Sequence, residues 1–299
     1  MILQTIKQIS CLLCLCCFLQ QSAFSQDDKD KPAYTLFDNT GKQISYGELI
    51  KRLSGYDVIF LGELHNCPIT HWLEFEITRS IYNIHKDQLM LGAEMFESDN
   101  QLIFDEYMQQ KISYDRFEAE ARLWDNYRTD YYPVVFFAKE HHIPFIATNI
   151  PRRYANIVKN KGFEALDSLS EEAKRYIAPL PIDFEYDEAQ SAEAFSMMNM
   201  MGGRRAGDNR KLAQAQAIKD ATMGWFIARN IKNKFLHING SYHSNRQGGI
   251  IPYLLRYRPN TSIVTVTSVR QESIRKLDDD HKGLADFYIC VPEDMVNSY

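Results

Sequence analysis

The chain has 299 residues, of which 24% are charged and 45% hydrophobic, and a formal net charge of −5. No basic run interrupts it, which excludes nucleic acid as a partner, and a chain of this length buries a substantial core. Six cysteines, four of them crowded between residues 11 and 17, do not make a disulfide scaffold.

Residues 1–25 read as an export signal. Lys7 supplies the charge, residues 9–18 are apolar, and Gln20-Gln21 stop the run short of membrane-spanning length. Ala23-Phe24-Ser25 then offers the small residues of a signal-peptidase site, so the mature chain is expected to start at Gln26. Losing Lys7 takes the charge from −5 to −6. Cys11, Cys14, Cys16 and Cys17 fall inside the signal, and the residues leading into them are mostly bulky, which makes a lipid anchor the less favoured alternative. Cys67 and Cys290 remain, either as one bridge or, more simply, as two buried thiols.

Residues 26–33 form a charged linker and 34–46 a small hairpin, opening a single domain that runs to residue 299. Apolar runs at 57–62, 89–96, 144–149, 235–240 and 262–268 read as strands. Between the first two, Ile69, Trp72, Leu73, Phe75, Ile77 and Ile81 recur at helical spacing behind Pro68, a residue suited to a first turn. Further helices are expected at 131–142 and 208–233. Strands alternating with helices imply an α/β fold, with a mainly parallel central sheet flanked by helices. Two stretches exceed a minimal sheet, near 99–130 and 163–207, and read as helical insertions over the carboxyl edge.

Parallel strands bring all their carboxyl ends to one edge, where open α/β sheets bind ligands. His65 and His243 each stand three residues after a strand-terminal glycine, Gly62 and Gly240. Glu94 lies near the end of the second apolar run and Asn149 at the end of the third. Two neutral imidazoles and a carboxylate, here His65, His243 and Glu94, suit a divalent ion with a position left open for water. The simpler alternative is that each histidine caps its own turn. Arg152 and Arg153 would attract an anionic group at the same edge, or remain solvated. Met197, Met198, Met200 and Met201 offer an adaptable apolar surface, as core filler or as the contact for a flat ligand. Tyr242 is the phenol nearest the histidines, ahead of Tyr127, Tyr131 and Tyr132. His71, His85, His141, His142, His237 and His281 point to no ligand set.

The segments "GELH", "GAEMFE", "ATNIPRR", "QAQAIKDATMGW" and "GSYHSNRQGGIIPYLLR", in this order from about residue 55 to 268, resemble the ChaN family of haem-binding proteins. The resemblance implies an α/β fold, haem as the cofactor and export to the periplasm or outer membrane for iron acquisition. It also implies a homodimer around haem, a tyrosine ligand to iron and an outer-membrane haem receptor as a partner. The wider superfamily includes Tiki metalloproteases and erythromycin esterase-like hydrolases. Their two Gly-x-x-His motifs and glutamate match His65, His243 and Glu94, which implies, as the alternative, a hydrolase using manganese or zinc, with Glu94 catalytic.

Overall fold

The computed structural model describes residues 31–186 and 209–299. The export signal, most of the linker, and Met200 and Met201 lie outside the described residues. The elements in the first half are β1 (Thr35–Asp38), α1 (Tyr46–Leu53), β2 (Val58–Glu63), α2 (Pro68–His85), β3 (Leu89–Glu97), α3 (Gln101–Met108), α4 (Tyr114–Glu120), α5 (Tyr132–Glu140) and β4 (Phe145–Asn149). Then come α6 (Arg152–Lys161), α7 (Glu171–Lys174), α8 (Asn209–Asn230), β5 (Lys234–Gly240), α9 (Ile250–Tyr257), β6 (Ile263–Gln271) and β7 (Phe287–Pro292).

One seven-stranded sheet runs β1-β7-β6-β2-β5-β3-β4. Every neighbouring pair is parallel except β1 with β7. The architecture is the α/β fold expected from the alternation of apolar runs and helices. Two details differ. Residues 34–46 make only a single bridge, Phe37 with Gln43, and their main partner is β7, a strand the sequence reading passed over. Its Phe-Tyr-Ile-Cys-Val run carries the β-branched and aromatic character of a strand, but it follows a polar loop instead of a helix.

β2 is buried at all six positions, as a parallel strand covered on both faces must be. Alternate side chains serve opposite layers. Ile59 and Leu61 join Leu73, Ile77 and Ile81 of α2, whereas Val58 and Phe60 join Met223 and Ile227 of α8 and Ile250 and Leu254 of α9. Trp72 departs from the expected buried stripe of α2: it is 48% exposed and lies edge-on against Tyr34. Cys67 and Cys290 are free, buried and in separate apolar clusters. Among the described residues, no helix is long and apolar enough to cross a membrane.

β2, β5 and β3 lie side by side at the centre of the sheet, with Glu63 opposite Gly240 in register. On β3 the register with β4 shifts between Ala93 and Glu97. In a regular strand Glu94 and Glu97, three apart, would face opposite sides. The irregularity lets both line one cavity. Asn149 stabilises it by donating from Nδ2 to the Glu94 carbonyl at 2.8 Å.

The 99–130 insertion packs as an aromatic layer, with Phe104 against Phe96 and Phe145 and Tyr107 stacked on Phe117. Only its last part, Leu123 to Asn126, reaches the carboxyl edge cavity. Of the 163–207 insertion, the described residues 163–186 hold a 3-10 turn and α7, and none of them lines that cavity.

The outer edge of β4 is closed by one side chain. Gln101 donates from Nε2 to the Phe145 carbonyl (3.0 Å) and accepts at Oε1 from the Ala147 N–H (2.7 Å). Its amide thus bonds around Ile146 as a residue of a parallel strand would. Gln101→Ala is expected to lower unfolding stability by about 1–3 kcal/mol, the range for two lost hydrogen bonds to a part-buried edge. A urea unfolding curve with an unchanged midpoint would contradict this role.

Candidate functional site

A cavity of about 940 Å³ opens at the carboxyl ends of β2, β3, β4 and β5. Its polar floor includes Glu63, His65, Glu94 and His243, and its walls include Leu64, Leu123, Trp124, Ile150 and Leu212. The end of β5 turns at once into a 3-10 helix, Ser241–His243. Gly249 fixes that turn from behind. It has φ +56, and a Cβ there would lie 2.3 Å from the His243 carbonyl oxygen, so only glycine fits. Gly240 is required for space alone: its Cβ would stand 2.7 Å from His65 Nε2 and 3.4 Å from Glu94 Oε2. His65, Glu94 and His243, distant in sequence, therefore meet around one glycine.

Each histidine is anchored through Nδ1 to a buried carboxylate. His243 donates from Nδ1 to Asp220 Oδ1 at 2.5 Å, and its Nε2 lies 3.2 Å from Glu94 Oε1. His65 donates from Nδ1 to Glu63 Oε1 at 2.5 Å, and its ring meets Trp124 edge-on at 5.0 Å. Burial alone would deprotonate His243, but Glu94 and Asp220 outweigh it and raise its pKa to about 10. Burial alone would raise Glu94, but the charge and hydrogen bond of His243, with His65, hold it well below the usual carboxylate range. Its other oxygen accepts the Gly240 N–H at 2.8 Å. For His65, too, the bond to Glu63 overcomes burial and raises the pKa.

Behind His65 lies a second layer of buried charge. Glu63 Oε1 also accepts from the Tyr131 hydroxyl at 2.7 Å. His71 on α2 places Nδ1 3.1 Å from Glu74 Oε2 and donates from Nε2 to the His65 carbonyl at 3.1 Å, with Asp130 Oδ2 at 3.4 Å. Burial would lower the His71 pKa, but Glu74, Glu63 and Asp130 raise it to about 10.

The remaining expected residues are distributed differently. Tyr242 lines the cavity, and burial followed by the charge of Asp220 pushes its phenol up. Tyr127 and Tyr132 belong to the aromatic layer, and Tyr131 acts through Glu63 from outside the wall. Arg152 lines the cavity but is paired with Glu97, which Arg122 also contacts at 2.8 Å. Arg153 is paired with Asp99, lies over the Tyr154 ring and is absent from the wall. Both arginines are exposed, and each is also paired with a carboxylate. His237 is a core residue: burial lowers its pKa to about 4, and it bonds to Thr148 and Asn239. His85 and His281 bond to the carbonyls of Ser54 and Arg270.

Sequence reasoning missed Glu63, Asp220, Trp124, Lys219 and Tyr299, which all touch the cavity or its histidines. Glu63 had a signal, since residues two apart at a strand end share a side with His65. Glu74 had one as well, standing three residues after His71 on the same helical face. Asp220 had none, because its partner comes from a turn 23 residues later.

A group whose folded pKa is raised contributes stability that is complete below its unfolded pKa and disappears above its folded one. For His71 and His243 that window opens at 6.5 and closes at about 10. Metal-free protein should therefore lose stability steadily as pH rises across it, and His71→Gln should flatten the loss. Equal slopes of unfolding midpoint against pH for both proteins would count against the buried imidazolium.

The model of a family described as haem-binding uptake, Tiki superfamily, ChaN, matches residues 49–254. No curated protein matches the chain. Among solved structures, a Campylobacter jejuni ChaN with cofacial haem binding shares 20% identity at a TM-score of 0.66, covering 88% of this chain and 97% of its own. At that identity the likeness is one of fold. An erythromycin esterase in its open conformation has 12% identity and a TM-score of 0.45, covering 86% of this chain and 83% of its own. A type III effector has the same identity and TM-score, covering 82% and 92%. The family match spans well over half of the sequence, and the chain belongs to the ChaN family of the Tiki superfamily.

Proposed function

We propose that the protein binds haem in the cavity at the carboxyl edge and serves an iron- or haem-acquisition system after export to the periplasm or outer membrane. One observation carries this reading: a family of haem-binding proteins and a cavity of about 940 Å³ coincide in the same chain. That volume falls within the roughly 300–1,000 Å³ of pockets that take cofactors. The wall residues fit the group. Leu64, Leu123, Trp124, Ile150 and Leu212 offer apolar contact and exclude water, while Arg152, Lys159 and Lys219 offer cations. Haem when bound supplies a ferric centre that prefers a hard anionic donor, together with two carboxylates.

Tyr242 is the phenol assigned to that centre, and His65 and His243 border the same space. Because burial and Asp220 hold the Tyr242 proton in place, the iron itself has to favour the phenolate. Arg152 and Arg153 reach an anionic arm only by sharing Glu97 and Asp99 with it, so Lys159 and Lys219 are the less committed cations of the wall. Met200 and Met201 are assigned apolar contact. The cofacial haem of the Campylobacter jejuni relative supports two copies of this chain pairing around haem, and an outer-membrane haem receptor is the partner that such a role calls for.

A second reading is favoured by a specific feature. His65 and His243 each donate Nδ1–H to a buried carboxylate, and Nε2 of His243 is turned to Glu94 at 3.2 Å, the arrangement of histidines that ligate metals. With Glu94 between them they fit a divalent ion such as manganese or zinc, and the activity would be metal-dependent hydrolysis with Glu94 as the catalytic carboxylate.

Added haemin should give a shifted Soret band, and Tyr242→Phe should alter that band more than the affinity. An unchanged band would remove Tyr242 and leave Tyr299, the other phenol of the wall. Light scattering should show the mass doubling with haemin. If haemin does not bind while manganese or zinc restores hydrolysis of a test peptide, the second reading replaces the first.

The exported protein should have the intact mass of a chain starting at Gln26 without lipid. A diacylglyceryl-cysteine at its N-terminus would overturn the proposed processing.

A further inference from the structure

We propose that Glu63, His71 and Glu74 form a separate, fully buried divalent-cation site beneath the floor of the cavity. One donor atom from each lies within 4.8 Å of the others. His71 Nδ1 is 3.1 Å from Glu74 Oε2 and 3.6 Å from Glu63 Oε2. Donors that bind one ion at roughly 2.0–2.2 Å stand ~3–4 Å apart, so the cluster is already near ligand spacing.

Two of its atoms lack what a buried carboxylate needs. Glu63 Oε2 and Glu74 Oε1 are buried without a hydrogen-bond partner, and an unsatisfied buried acceptor is costly. Apart from the His71 Nδ1–Glu74 Oε2 bond, which a bound ion would replace, the hydrogen bonds around the cluster orient it instead of filling it. Tyr131 and His65 both bond to Oε1 of Glu63, leaving Oε2 turned to His71. His71 uses Nε2 for the His65 carbonyl and Asp130, leaving Nδ1 on the side of the two glutamates. Asp130 is held in turn by Asn126 and Ser298. A ligating histidine typically donates its other N–H to a carbonyl or carboxylate in this way.

Charge points to the same ligand. Three carboxylates, from Glu63, Glu74 and Asp130, surround one imidazole, an excess of negative charge that a divalent cation balances. Two glutamates and a histidine are the oxygen-rich, one-nitrogen set suited to manganese or zinc. Glu63 is the one member that also lines the cavity, so the ion enters from there. The site shares no donor with His65, Glu94 and His243, and it does not depend on the haem reading. It touches that reading only through Glu63, which holds His65 in place.

The test uses full mature protein carrying Glu94→Gln and His243→Ala, so that the upper site cannot retain metal. After chelation and incubation with manganese or zinc, one tightly held equivalent should remain by mass spectrometry of the metal content and should raise the melting temperature. Adding Glu74→Gln should weaken that binding by more than about 100-fold, and Tyr131→Phe, which loosens Glu63, by about 10–100-fold. Glutamine keeps the shape of the glutamate side chain, and the metal-free melting temperature of this variant, measured alongside, separates lost metal binding from lost folding. No retained metal in the parent, or full retention after Glu74→Gln, would overturn the site.

Discussion

The ion pair between Glu94 and His243 sets the terms for everything at the carboxyl edge. Both groups are buried, so neither charge is solvated by water, and a broken pair at such depth costs several kcal/mol (about 3–5). The protein therefore surrounds them with fixed donors and acceptors: the Gly240 N–H on Glu94, Asp220 on His243, and His65 close by. Each demands something of the backbone. Glu94 needs the register shift of β3, and the shift needs Asn149 to satisfy its carbonyl. His243 needs the turn after β5, and the turn needs glycine at 249.

The parts of this arrangement visible in the sequence are those that depend on local pattern. Strand-terminal glycines, apolar runs and the recurring Gly-x-x-His spacing locate His65 and His243 because each signal lies within a few residues. Glu94 was legible for the same reason. What stayed hidden depends on pairing between distant segments. Asp220 faces His243 only once α8 packs against the sheet. Arg152 and Arg153 look like free cations until the end of β3 and the turn after it place Glu97 and Asp99 beside them. Tyr131, in a run of three nearby tyrosines, is distinguished from Tyr127 and Tyr132 only by which side of its turn meets Glu63. β7 went unread because no helix precedes it.

The rim pairs hold position more than they add stability. Exposed arginine–carboxylate pairs contribute little on their own, about 0–1 kcal/mol. Here, however, Arg122 touches both Glu97 and Asp99, which in turn engage Arg152 and Arg153. Residues following α4, the end of β3 and the start of α6 are thereby tied together. Leu123 and Trp124, next in sequence to Arg122, are thus held over the cavity by charges that do not themselves need to touch the ligand.

The Gln101 amide on the rim of β4 restricts how copies of the protein can assemble. An open parallel edge invites another strand, and sheet-to-sheet fusion is a common route to dimers and to runaway aggregation. With the outward-facing groups around Ile146 already taken by a side chain, a neighbouring subunit gains no free ladder there. At the opposite margin β1 is only four residues long. Contacts that would extend the sheet are thereby disfavoured at this margin, which leaves surfaces where side chains, not backbone, set the geometry of any contact.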